Sequence, residues 1–111
     1  MPNRMIRALF EKQLSHYSGY QVKGHAYQNS YGKDIICSAV SVLVLFVANH
    51  LEEDLHVPLH GKVDAGFFEC RIESPSLESD RVVGRLEETL RTIAKQHPKN
   101  LKVEVKVWHS K

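Results

Sequence analysis

The chain is 111 residues long, which fits one compact domain spanning residues 1–111 and leaves little room for a second. Its hydrophobic share of 42% and charged share of 25% are ordinary for a soluble globular protein, and its formal charge of +2 comes from interspersed charges of both signs, which argues against direct nucleic-acid binding. Two cysteines are too few for a disulfide scaffold, and an N-terminus without the apolar core of a signal peptide agrees with them in predicting a cytoplasmic protein.

The first half of the chain predicts two strands, a loop and a long helix. Residues 5–10 and 20–24 alternate apolar and polar side chains and are expected to pair as a hairpin. Residues 26–33 are rich in Asn, Ser, Gly and Tyr without a period, which predicts a loop. The Val and Ile content of residues 35–53 favours a strand, but a length of about 19 residues favours a helix. Asp34 is the expected N-cap of that helix.

The predicted helix is apolar nearly all round, so it is expected to lie at the centre of the fold. Its uninterrupted apolar run, residues 35–48, has about 14 residues, whereas a membrane span needs about 20. We therefore expect a buried element and no membrane partner.

The next part of the chain predicts a connection over residues 57–66 and a strand over residues 67–73. The strand alternates, with Phe68, Cys70 and Ile72 on one face. Charged residues occupy the positions between them, so one side of this strand is expected to be wet.

A second helix and a last strand complete the predicted elements. Ser79 and Asp80 are expected to cap the helix, and Pro98 stops it. The helix carries one apolar stripe, formed by Val82, Val83, Leu86, Leu90, Ile93 and Ala94. Residues 101–108 form the clearest strand in the chain. The order of elements predicts an α+β two-layer sandwich, a mostly antiparallel sheet with two helices on one face.

The chemistry of the chain centres on Cys37, which follows a Gly-His pair by twelve positions and a nearby carboxylate, Asp34. A thiol, an imidazole and a carboxylate are the components of a cysteine nucleophile with its base and its orienting group. If Asp34 is the N-cap, Cys37 lies in the first helical turn, where unpaired N–H groups favour a thiolate and could stabilise an oxyanion. The alternative is that Cys37 is a small buried hydrophobe.

Other candidate sites are weaker. Cys70 alternates with core residues and is expected to be structural. His56 and His60 have a metal-like spacing, but Pro58 between them breaks a shared helical face, so no metal is expected. The chain has no nucleophile-elbow pattern for a serine triad and no glycine-rich nucleotide motif, so no cofactor is expected.

A spaced motif in residues 24–41 resembles the bacterial ribosomal-processing cysteine protease family, Prp. The matching residues are Gly24-His25-Ala26, Tyr31-Gly32, Asp34-Ile35-Ile36-Cys37 and Ser41. The start of the chain, Met5-Ile6-Arg7-Ala8, also looks like the first strand of that family. The chain departs from the family pattern at residues 27–30 and at Ser38, which bear on substrate contacts.

The resemblance implies a cysteine endopeptidase that removes the N-terminal extension of a large-subunit ribosomal protein during ribosome maturation, and it implies a homodimer. It places the nucleophile on Cys37, the base on His25 and the motif aspartate on Asp34, which either orients His25 or only caps the helix. It assigns substrate contacts to four further residues, Gly24, Tyr31, Gly32 and Ser41.

Two other functions stay open from the sequence. One is a non-enzymatic, ribosome-associated binding module whose cysteine is structural. The other is a thiol-dependent acyl-transfer or redox enzyme, which would need a resolving cysteine, and Cys70 on its core-facing strand is a poor candidate for that role.

Overall fold

The computed structural model describes residues 5–24 and 31–108, and of residues 31–34 only the backbone. The described elements in chain order are strands β1 (Ile6–Gln13) and β2 (His16–Lys23), helix α1 (Tyr31–Asn49), strands β3 (Leu59–Asp64) and β4 (Phe67–Ile72), helix α2 (Leu77–Gln96) and strand β5 (Leu101–Trp108). A π-helical turn, His50–Asp54, extends α1.

The five described strands form one sheet in the order β3-β4-β2-β1-β5. All neighbouring pairs are antiparallel except β1 and β5, which are parallel. Both helices pack on the same face of the sheet, and the opposite face carries exposed polar residues such as Arg7, Arg71 and Lys102. The predicted α+β sandwich is therefore confirmed.

The core lies between the sheet and the two helices. Alternation along the strands places every second side chain inward, as in Ile6, Ala8 and Phe10 of β1. The expected inward face of β4 is confirmed, because Phe68, Cys70 and Ile72 are all buried. The helices contribute a row from α1 and a row from α2, which are Ile36, Cys37, Val40, Val44 and Val47, and Val83, Leu86 and Leu90.

The hairpin of β1 and β2 is longer than the sequence predicts. The two strands meet at a turn formed by Leu14 and Ser15, whose φ angles are +54° and +70°. Both residues adopt the left-handed conformation that a two-residue hairpin turn requires, although glycine or asparagine usually supplies it. Because this turn lacks the expected residue types, the predicted strands stopped short of it on both sides.

The start of α1 differs from the prediction. The helix begins at Tyr31, so Tyr31, Gly32 and Lys33 belong to it rather than to the predicted loop, and Asp34 is its fourth residue. The prediction that Asp34 is the N-cap is therefore wrong, because an N-cap residue stands before the first helical position. The rest of the predicted loop, residues 26–30, lies outside the described residues.

Helix α2 is capped three residues earlier than predicted. Ser76, not Ser79, is the N-cap, and its side chain accepts a hydrogen bond from the backbone N–H of Ser79 at 3.1 Å. The hydroxyl of Ser79 in turn accepts from the backbone N–H of Ser76 at 2.8 Å. This is a reciprocal capping box in which serine takes the place usually held by glutamate.

The predicted connection over residues 57–66 contains strand β3, so that prediction is wrong as well. Leu59 is half-buried and the other five residues of β3 are exposed, as befits a strand at the edge of the sheet. A strand with one partly buried residue shows too little apolar alternation to be recognised from its sequence.

The expectation that α1 is central is only half met. One face packs into the core, while Ile35, Val42, Leu45 and Phe46 are exposed on the other. Among the described residues, the stretch Ile35–Asp54 alone is long and apolar enough to cross a membrane by length and composition, and a third of it is buried inside the fold. The two helices and one sheet therefore leave part of the apolar surface of α1 uncovered.

Candidate active site

Cys37 lies on the buried face of α1, where 7% of its surface is exposed. It is the seventh residue of the helix, in the second turn. Only the first four N–H groups of a helix lack an intrahelical acceptor, and the influence of the helix dipole falls off within the first turn. The prediction that first-turn N–H groups act on Cys37 is therefore wrong, and activation of its thiol requires another group.

The tyrosine hydroxyl of Tyr20 fixes how α1 lies on the sheet. The Tyr20 ring is fully buried in the middle of β2, and its Oη donates to the carbonyl oxygen of Val44 at 2.9 Å. Burial raises the pKa of Tyr20 well above its ordinary value, so the hydroxyl stays protonated as a donor. The sequence analysis gave Tyr20 no role, although its alternation with Val22 signals an inward-facing ring.

The short connection between β2 and α1 determines the direction of the helix. Gly24 is about 13 Å along β2 from Tyr20, and Tyr31 is about 20 Å along α1 from Val44. If the two elements ran the same way, these ends would be about 33 Å apart, but the chain from residue 24 to residue 31 reaches at most about 25 Å. Helix α1 therefore runs antiparallel to β2.

This direction places Cys37 over the end of β2. Cys37 is seven residues before Val44, or about 10 Å back along the helix axis. That distance is close to the ~13 Å that separates Tyr20 from Gly24 along the strand. The thiol-bearing turn of α1 and the strand end that leads into His25 thus occupy the same end of the fold. His25 itself lies outside the described residues.

Gly24 shapes the strand end in a way that other residues cannot. Its φ is +86°, and a Cβ added to it would stand 2.7 Å from the carbonyl oxygen of Met5. Its N–H donates to the carbonyl oxygen of Gly66 at 2.9 Å, which ties the end of β2 to the turn before β4. The position therefore requires glycine, and it fixes the point from which the chain proceeds to His25.

Three predicted site residues share one side of α1. Asp34, Cys37 and Ser41 are spaced three and four residues apart, which brings their positions onto neighbouring turns of one helix face. Ser41 is half-buried, and the backbone of Asp34 lies in the helix one turn before Cys37. Tyr31 and Gly32 lie in the first turn of the helix. The structure thus brings the motif positions together, although the helix begins earlier than expected.

Cys70 provides an internal comparison for the candidate nucleophile. Both cysteines lie among the described residues, and both are thiols rather than halves of a disulfide. Cys70 is 1% exposed, and burial raises its pKa from 9.0 to about 11, an effect that a hydrogen bond with Tyr20 partly offsets. At neutral pH Cys70 is thus a protonated, unreactive thiol, as the sequence predicts for a structural cysteine.

Groups suited to holding a metal ion were sought across the described residues. Within residues 5–24 and 35–108, no three side chains of His, Cys, Asp or Glu come together as a potential metal site. The His60 imidazole instead lies 3.5 Å from a carboxylate oxygen of Glu73 at the sheet edge.

The chain is similar to proteins of one family. The sequence profile described as Cysteine protease Prp matches residues 5–102. None of the curated protein sequences matches the chain. Three similar solved structures share its fold: SMU.848 from Streptococcus mutans, with a TM-score of 0.82 and 22% identity over 94% of this chain and 96% of that one; the essential ribosomal processing protease Prp from S. aureus with a substrate peptide, at 0.80 and 19% over 92% and 100%; and the same protease with a covalently linked product peptide, at 0.81 and 21% over 92% and 100%.

Proposed function

Because the chain belongs to the cysteine protease Prp family, we propose that it is a cysteine endopeptidase that removes the N-terminal extension of a large-subunit ribosomal protein. The observation that carries the proposal is the placement of Cys37 over the end of β2, immediately before His25. The similar S. aureus protease processes a ribosomal substrate and has been seen with substrate and covalently linked product peptides. We also propose that the enzyme works in the cytoplasm, where its two thiols stay reduced.

In the proposed mechanism, the thiolate of Cys37 attacks the scissile carbonyl carbon and forms an acyl-enzyme, while the amine of the leaving peptide takes a proton. His25 accepts the thiol proton and later delivers it to that amine. This role of His25 carries more weight in the structure than in the sequence, because the second helical turn gives Cys37 no dipole assistance. Water then hydrolyses the acyl-enzyme and frees the thiol.

Asp34 has one of its two suggested roles left. It does not cap α1, because the helix begins three residues before it. Its position one turn from Cys37 puts it on the side of the helix where an imidazole would meet the thiol. We therefore assign Asp34 the orientation of His25. The substrate contacts proposed for Gly24, Tyr31, Gly32 and Ser41 stay assignments carried by the family motif.

The rival functions make different demands on the two thiols. Burial of Cys37 to 7% exposure is the observation that favours a non-enzymatic binding module. A redox enzyme would need a second reactive thiol, and Cys70 does not fit because burial holds its pKa at about 11.

The deciding experiment incubates the protein with a peptide that spans the N-terminal extension and follows the products by mass spectrometry. Wild type and the Cys70→Ala variant should cut at one bond, whereas Cys37→Ala and His25→Ala should lose activity by several orders of magnitude. Circular dichroism should show that all variants fold. Cleavage by Cys37→Ala would refute the proposed mechanism, and a folded wild type that binds the peptide without cutting it would support the binding module.

We further propose that the enzyme is a homodimer, in keeping with the uncovered apolar surface of α1. Sedimentation at micromolar concentration should give about twice the chain mass of 12.7 kDa. A monomer that still cuts the peptide would contradict the dimer and leave the protease intact.

A further inference from the structure

One face of α1 points away from the sheet and is apolar over most of its length. We call it the outer face of α1, formed by Ile35, Ser38, Val42, Leu45, Phe46 and Asn49. Ile35, Val42 and Phe46 are 68%, 64% and 66% exposed, and Leu45 is 47% exposed. Monomeric soluble proteins rarely leave large apolar side chains grouped in this way, so the face is expected to have a partner.

The spacing along the outer face suits another helix. Ile35, Ser38, Val42, Leu45 and Asn49 follow one another at intervals of three and four residues. This is the interval at which helices pair along a narrow seam, with each side chain entering a space on the facing helix. The seam runs 14 residues, or about 21 Å along the axis.

The charges near the outer face argue against a membrane surface as the partner. Residues 35–54 contain neither Lys nor Arg, and the π-helical turn carries three exposed acidic residues, Glu52, Glu53 and Asp54. Helices that lie on membranes carry basic residues that bind anionic lipid, and acidic residues are repelled by such a surface.

The same charges are poorly placed for an isolated helix. The C-terminal end of a helix is the negative end of its dipole, so acidic residues there are unfavourable, and α1 has no basic residue in its last turn. An antiparallel partner helix removes this conflict, because the acidic turn of one helix then lies beside the positive first turn of the other. A parallel partner would instead bring the two acidic turns together.

The space available matches an ordinary interface. Beside the outer face, α1 and α2 enclose a groove of about 410 Å³ whose apolar lining includes Leu43, Phe46, Val82 and Leu86. Two adjacent helices about 9 Å apart and about 28 Å long present a layer of about 500–600 Å² in projection. This is on the scale of the ~800 Å² of accessible surface that each partner buries in a stable complex.

We infer that a second copy of this chain covers the outer face of α1, with the two α1 helices antiparallel and the two-fold axis close to Val42. Ile35 of one copy then faces Asn49 of the other. Glu53 of each copy lies beside the first turn of α1 in the other, next to the helix that carries Cys37. This inference rests on the proposed homodimer, and it is independent of whether the peptide is cut.

The surface is tested by a matched pair of valine substitutions. Val42→Asp places a charge at the centre of the proposed seam, whereas Val63→Asp makes the same change on β3, at a residue with similar exposure of 70%. By sedimentation, Val42→Asp should raise the dimer dissociation constant at least tenfold, while Val63→Asp should match wild type. Val107→Asp tests β5, whose Val107 is 51% exposed. Dissociation by Val107→Asp with an intact Val42→Asp dimer would move the interface to β5 and overturn the inference.

The orientation is tested by disulfide cross-linking of single cysteine variants. Ile35→Cys and Asn49→Cys proteins, oxidised separately, should stay uncross-linked, and a mixture allowed to exchange subunits should give a mixed dimer. A parallel arrangement gives the reverse, with cross-linking in each separate sample. Cross-linking in none of the samples would also refute the antiparallel seam, because Val42→Cys must cross-link to itself across the axis if the seam exists.

Two further measurements separate this inference from its rivals. Wild type should not float with vesicles of anionic lipid, and flotation that Val42→Asp abolishes would assign the outer face to a membrane. Peptide cleavage by the same samples tests the protease independently. A monomeric wild type that cuts the peptide would overturn the dimer alone, whereas a dimer with the antiparallel cross-link that cuts nothing would overturn the protease alone.

Discussion

At the scale of single residues, the two thiols of this chain should differ in reactivity. Cys70 is 1% exposed and its pKa is about 11, so it is both inaccessible and protonated at neutral pH. Cys37 is 7% exposed and lies in the turn above the strand end that leads to His25. We expect iodoacetamide to modify Cys37 at least tenfold faster than Cys70 at pH 7. Peptide mass spectrometry after timed alkylation measures both rates, and earlier modification of Cys70 would contradict Cys37 as the nucleophile.

Gly24 should matter to stability and to activity. In the Gly24→Ala variant, the new Cβ meets the Met5 carbonyl oxygen at 2.7 Å, and the φ of +86° disfavours any side chain. We expect a loss of about 1–3 kcal/mol in the free energy of unfolding, and a fall in peptide cleavage because the chain leading to His25 shifts.

The matched control for Gly24 is Gly61→Ala in β3, where the nearest atom to a new Cβ is the Glu69 carbonyl oxygen at 3.7 Å, an ordinary contact. Urea unfolding should show the Gly61 variant within about 0.5 kcal/mol of wild type. Equal stability of the two variants would show that the strand end tolerates a side chain.

At the scale of elements, helix α2 depends on its capping box. Removing the hydroxyl of Ser76 in Ser76→Ala leaves the N–H of Ser79 without its acceptor, and we expect a loss of about 1 kcal/mol in stability. Ser74→Ala is the control, since Ser74 is exposed and precedes the helix. If thermal unfolding gave the same midpoint for both variants, the cap would contribute nothing measurable.

The sequence predicts the kinds of element well and their ends poorly. The strand Leu101–Trp108 and the apolar stripe of α2 follow from strong periodicity, and the structure confirms them. The ends fail where local residues act against their usual preferences, such as Leu14 in a turn conformation normally taken by glycine. Gly32 in the first turn of α1 is a second case, because glycine is a poor helix former and suggested a loop.

The candidate site shows the same division. The spaced motif identifies Cys37 and its neighbours, and the α1 helix brings Asp34, Cys37 and Ser41 to one side as their spacing requires. The direction of α1 depends on a hydrogen bond between Tyr20 and Val44 that joins residues 24 positions apart. No local pattern encodes such a contact, so the placement of Cys37 over the strand end could not be predicted from the sequence.

At the scale of the whole molecule, the buried acidic protons couple the fold to alkaline pH. Burial raises the pKa of Cys70 to about 11 and those of Tyr17 and Tyr20 further, and for Tyr17 a hydrogen bond to Glu87 adds to the effect. A group whose pKa is higher in the folded state than in the unfolded state stabilises the fold fully below its unfolded value. That stabilisation is lost as the pH rises toward the folded value.

We therefore expect the free energy of unfolding to be level from pH 7 to about 8.5 and to fall steeply between about pH 9 and 11. Cys70 alone should account for about 3 kcal/mol across its two-unit shift from 9.0 to about 11. Urea unfolding at closely spaced pH values measures the slope. The Cys70→Ala variant should be less stable at pH 8 because of the cavity it leaves, yet it should lose stability less steeply above pH 9. A slope identical to that of wild type would show that the Cys70 proton is not held by burial in this core.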